Sequence, residues 1–92
     1  MKKCLRIMVT SKFPKDLFRS FIQKSAQELD VEGVIQLISS DQARLIACGT
    51  KENVDELLDV LHKGTSRWQA VRIEVEPFVK DKDYRGVFRV IE

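Results

Sequence analysis

Three cations, Lys12, Lys15 and Arg19, gather in the stretch Ser11 to Phe21, SKFPKDLFRSF. This stretch joins an apolar alternating run to an amphipathic helical pattern. A strand-to-helix turn of that kind can seat an anion, because the first backbone N–H groups of a helix lack intrahelical partners and lie at its positive end. Arg19 follows Phe18 within the helical pattern. A guanidinium there can grip a phosphoryl group through two parallel hydrogen bonds. The plainer alternative is a solvated basic loop, with Arg19 lying along the helix flank.

Other chemistries find less support. The one histidine, His62, stands near the end of a solvated helix with no Cys/His array at ligand spacing, so no metal is expected. No glycine-rich phosphate or dinucleotide loop occurs, and no cofactor is expected. Ser11, Ser39 and Ser40 are not set in a nucleophile turn, and Asp16 and Asp41 read as cap or loop residues. The formal charge of +2, from 16 Lys plus Arg against 14 Asp plus Glu, does not argue for nucleic acid. An RNA-binding sheet would show aromatics on its central strands. Here those strands offer Cys4, Arg6 and Met8, then Arg44, Ile46 and Cys48, while Trp68 and Tyr84 fall outside them.

The surrounding elements follow from periodicity. Residues 3–10 alternate as a strand, with Leu5, Ile7 and Val9 on one face and Cys4, Arg6 and Met8 on the other. Pro14 and Asp16 suit the opening of a helix. Its apolar stripe, Leu17, Phe18, Phe21, Ile22, Ala26 and Leu29, runs to about Asp30. Strands are expected over 33–38 and 43–48, joined by the turn formers Ser39 to Gln42, with Arg44 towards solvent and Ala43, Leu45 and Ala47 inward. Thr50 caps a helix over 51–63, whose stripe is Val54, Leu57, Leu58 and Leu61, and Gly64 closes it. In 70–78, Val71, Ile73 and Val75 are expected inward, and Pro77 ends the strand or marks an edge. A charged loop over 80–85 precedes a short terminal strand in 86–91, with Phe88 and Val90 inward.

The order β-α-β-β-α-β predicts an α+β, ferredoxin-like sandwich: one mostly antiparallel sheet, two helices on one face and a short terminal strand. With 92 residues, 43% of them hydrophobic, one domain over 1–92 is expected. Cys4 and Cys48 each lie in an apolar run and read as buried free thiols, a single bridge being the alternative. The basic start MKKCLRIMVTSK has a short apolar part broken by Arg6 and no signal-peptide core. No segment approaches transmembrane length. These features predict a cytoplasmic protein that does not bind membranes.

The order and spacing of these residues resemble the acylphosphatase family, small ferredoxin-like enzymes that hydrolyse acyl phosphates. The resemblance runs through Phe18-Arg19, Gly33-Val34, Asp41, Cys48-Gly49, Gly64 and Phe88-Arg89-Val90. In the family the phosphate loop reads Gly-x-Val-Gln-Gly-Val-Gly-Phe-Arg, and its Arg binds the phosphoryl group with the loop amides. That pattern falls on Ser11 to Arg19. Phe18 and Arg19 match, the three glycines fall on Ser11, Lys15 and Leu17, and the Gln falls on Pro14. The resemblance therefore implies that Arg19 is the catalytic candidate, with Lys12 and Lys15 beside it as anion-binding residues. The family's Gly-Trp-Val-x-Asn, whose Asn positions the attacking water, falls on Gly33 to Leu37.

Leu37 has no group that could hold a water, and Gln36 should point to the opposite face unless the strand bulges. Pro14 also removes one N–H donor from the loop. Binding can survive such changes while much of the rate is lost. The expected function is an impaired acylphosphatase-like domain that binds phosphate, an acyl phosphate or another anion at Arg19. One alternative is an active acylphosphatase rebuilt around Gln36, Ser39 or Ser40. Another is a protein-interaction module using the outer sheet face, where Met8 and Ile46 lie beside Arg6 and Arg44.

Overall fold

The computed structural model describes residues 2–11, 15–64, 72–77 and 87–91. Its elements run β1 (Lys2–Thr10), α1 (Lys15–Glu28), β2 (Glu32–Leu37), β3 (Gln42–Thr50), α2 (Lys51–Lys63), β4 (Arg72–Pro77) and β5 (Phe88–Ile91). The strands form one sheet in the order β4-β1-β3-β2-β5. β1 pairs antiparallel with β3 and β4, β2 pairs antiparallel with β3, and β5 pairs parallel with β2. This is the expected ferredoxin-like arrangement, with the terminal strand making the sheet mixed.

Alternation along the strands sends one set of side chains under the helices. Leu5, Ile7, Val9, Ile35, Leu45 and Phe88 join Phe18 and Ile22 of α1 and Leu57 and Leu61 of α2 in one buried cluster. Leu37 packs at its margin, half-buried. α1 ends where Asp30 takes a left-handed φ of 53° and the Val31 N–H donates to the Ala26 carbonyl at 2.8 Å. α2 begins and ends as its caps dictate. The Asn53 N–H donates to Thr50 Oγ1 at 3.2 Å, and the Gly64 N–H donates to the Val60 carbonyl at 3.1 Å.

Two expectations are corrected. Cys4 and Cys48 are joined by a disulfide rather than free, because the β1–β3 register sets them directly opposite each other. Val75, expected inward and buried, is 41% exposed. β4 is the sheet edge, and α2 packs chiefly over β1 and β3. Val71, Trp68, Tyr84 and the 80–85 loop lie outside the described residues. No described helix is long and apolar enough to cross a membrane.

Candidate anion site at the head of the first helix

β1 and β2 run the same way, each antiparallel to β3. Their C-terminal ends therefore meet at one end of the sheet, where α1 begins. Thr10 is opposite Gln42 in the β1–β3 register, and Leu37 is opposite Ala43 in the β2–β3 register. The Ser11 N–H donates to the Asp41 carbonyl at 2.7 Å, tying the exit of β1 to the turn between β2 and β3. Ser11 is buried. Sequence patterning showed Ser11 only as a loop residue and Asp41 only as a turn former. A hydrogen bond across 30 positions of chain leaves no periodic signal.

Phe18 is fully buried and pins the first turns of α1 to the core. Arg19, the next residue round the helix, is half-buried, and its Nε is enclosed. Its Nε is thus shielded from solvent within the first two turns of α1. Lys12 lies outside the described residues, and Lys15 is described only as the residue that opens α1.

The facing turn is well organised. Ser39 Oγ donates to Asp41 Oδ1 at 2.7 Å, and the Ile38 N–H donates to the Gln42 carbonyl at 2.9 Å. Ser39, Ser40 and Asp41 are exposed. In β2, the register runs from Glu32↔Cys48 to Leu37↔Ala43 without a bulge. Leu37 consequently shares the helix side of the sheet with Ile35 and packs against the core. Gln36 turns to the opposite face, where its Oε1 accepts from Arg44 Nη2 at 3.3 Å. The structure thus brings Arg19 and Leu37 to the same end of the molecule and directs Gln36 elsewhere.

The outer face, away from the helices, holds a shallow depression of about 280 Å³ lined by Arg6, Met8, Arg44, Glu74, Val75 and Glu76. Arg6 Nη1 donates to Glu76 Oε1 there at 2.8 Å. Among the described residues, no group of three His, Cys, Asp or Glu could hold a metal ion. His62 is exposed in the last turn of α2.

The family model for acylphosphatases matches residues 7–90, nearly the whole described fold. The chain belongs to the acylphosphatase family. It is 29% identical over 87 residues to an acylphosphatase of Coxiella burnetii, covering 95% of this chain and 90% of that protein. An acylphosphatase of Methanococcoides burtonii is 33% identical over 72 residues, 78% of this chain and 75% of that one. A solved acylphosphatase structure from Coxiella burnetii superposes with a TM-score of 0.87 at 28% identity, covering 98% of this chain and 93% of the other. Acylphosphatases act on acyl phosphates.

Proposed function

We propose that residues 1–92 form one acylphosphatase-like domain that binds phosphate, an acyl phosphate or a similar anionic group at Arg19 and hydrolyses acyl phosphates poorly. The observation that carries this reading is Leu37. It occupies the position at which the family resemblance places the water-orienting Asn, and it faces the core side of an unbroken β2. Arg19 and the first-turn amides of α1 are, on this reading, the donors to a phosphoryl oxygen. Leu37 offers no carboxamide to orient a water there, so on this reading the anion is held without the positioned nucleophile the family uses. Gln36 cannot take that role while it is turned to the outer face and held by Arg44. The cytoplasm is the compartment we assign, on the reading that the single Cys4–Cys48 bridge is not the disulfide framework of a small secreted domain.

The test is steady-state hydrolysis of benzoyl phosphate by the parent, Arg19→Ala, Leu37→Asn and Gln36→Ala, with inorganic phosphate binding measured by calorimetry. The parent is expected to bind phosphate and turn over slowly, and Arg19→Ala to lose binding. Leu37→Asn should gain roughly 10-fold or more in rate, the scale on which a single positioning group acts. Gln36→Ala should change little. Robust parent turnover that is lost in Arg19→Ala would overturn the impaired reading. If Gln36→Ala lost it as well, the rebuilt site would be established instead.

A second reading, a protein-interaction module, is favoured by the outer-face depression between Arg6, Met8 and Arg44. It gains ground if the parent neither binds phosphate nor hydrolyses the substrate.

A further inference from the structure

Cys4 and Cys48 face each other across β1 and β3, two adjacent interior strands of the sheet, with a Cα–Cα distance of 4.1 Å. That is the close class of antiparallel pair, in which side chains stand nearest. Both cysteines lie on the outer face, opposite the helices. Their exposure differs: Cys48 is 2% exposed, whereas Cys4 is half-buried and meets solvent. We propose that the pair is a reversible thiol–disulfide site, opened and closed by low-molecular-weight thiols and disulfides through the Cys4 sulfur. Its closure sets the stability of the sheet and leaves the Arg19 site unchanged.

The chemistry follows the exposure. In opening, the thiolate of a small thiol such as glutathione attacks Cys4 Sγ. A mixed disulfide forms on Cys4, the Sγ–Sγ bond breaks, and Cys48 leaves as a thiolate that takes up a proton. A second glutathione thiolate then attacks the glutathione sulfur of the mixed disulfide. Cys4 leaves and is protonated, and oxidised glutathione departs. Two electrons have passed from two thiols to the protein disulfide. Closure is the reverse, with oxidised glutathione as the oxidant. Attack on Cys48 is hindered by its burial.

The strands make the site reversible. β1 is hydrogen-bonded to both β3 and β4, and β3 to both β1 and β2, so opening the bond leaves the two sulfurs opposed in the same register. Reclosure then needs no rearrangement. Its separation from the anion site is also built in. Cys4 lies near the start of β1 and Ser11 just past its end, roughly 20 Å away at strand rise.

The experiment equilibrates the folded chain across a series of reduced-to-oxidised glutathione ratios, quenches with an alkylating agent, and maps each thiol by mass spectrometry. Thermal unfolding and inorganic phosphate binding are measured on the two end states. The expected result is one reversible two-electron transition, with any glutathionyl adduct on Cys4. Reduction should lower Tm by about 10 °C or more, with phosphate affinity the same in both forms. C4S should match the reduced Tm and ignore the glutathione ratio. If C4S fails to fold, reduction of the parent by a phosphine gives the same comparison.

The proposal falls if two alkylatable thiols persist in excess oxidised glutathione, if the adduct maps to Cys48, or if Tm is unmoved. A tenfold difference in phosphate affinity between the two forms would overturn the separation from the anion site. Failure to bind phosphate in either form would count against the proposed function and leave the thiol results standing.

Discussion

Gly33 shows how much one residue carries here. Its φ of 145° is one that side-chain-bearing residues rarely adopt, and a Cβ would run into the backbone carbonyl of Ile46 on β3. It also stands opposite Phe88 in the parallel β2–β5 register, where the 1% exposed ring is sealed beneath α1. Gly33→Ala therefore imposes both backbone strain and a clash with a neighbouring strand. The expected loss is about 3 kcal/mol or more of folding stability, read as a lower urea midpoint at unchanged m-value. A loss below about 1 kcal/mol would show that β2 can draw away from β3 at little cost. Gly33 stood out in the sequence as part of a family pattern, but the close approach that requires it comes from a partner strand. Leu37 was legible in the same way. Its position in the family pattern marked a missing carboxamide, and strand parity alone placed it on the core side with Gln36 opposite.

At the scale of elements, local signals were the easiest to read. Thr50, the stripe from Val54 to Leu61, and Gly64 bound α2 at both ends, and the helix observed is the one expected over 51–63. Signals that depend on neighbours were harder. Val75 alternates as well as Ile7 does, yet α2 packs on β1 and β3, and β4 lies at the sheet edge beside them. α2 is also fastened to β1 by charge. Lys3 Nζ lies 2.6 Å from Asp55 Oδ1, and Lys51 Nζ lies 3.1 Å from Asp55 Oδ2. Hydrogen bonds from Lys3 first, and Lys51 second, hold the Asp55 carboxyl below its ordinary value of 3.8. A carboxyl whose pKa is depressed on folding stabilises the fold above its unfolded value. That contribution disappears as pH falls through the lower folded value. The parent should therefore exceed Asp55→Asn in Tm near neutral pH, with the gap closing below about pH 4. High salt should narrow it too, because the pair is solvent-exposed. A gap that stayed constant through the acid range would assign the effect to packing instead.

For the whole molecule, register was the least legible property, because it is set between segments far apart in the chain. Two cysteines in apolar runs look like two buried thiols until β1 and β3 are aligned, and the parallel pairing of β5 with β2 likewise has no local signature. The same long-range pairing governs how the chain folds. A topology dominated by non-local strand contacts folds slowly, since loop-closure entropy is lost before those contacts form. The Cys4–Cys48 bond spans 44 residues and already closes the β1–β3 loop in the unfolded chain. On the chain-entropy account, a loop of that size destabilises the unfolded state by about 4 kcal/mol. β1 and β3 form the central pair, with β4 added to β1, β2 to β3 and β5 to β2, so their pairing belongs in the folding transition state. Most of the effect should then appear in the folding rate. Stopped-flow refolding of the oxidised chain is expected to be at least about a hundredfold faster than that of the reduced chain, with unfolding rates within about threefold. If the oxidised chain instead refolds at the reduced rate and only its unfolding slows, β1 and β3 pair after the barrier, and the sheet must nucleate on β2 and β3 with their short connecting turn.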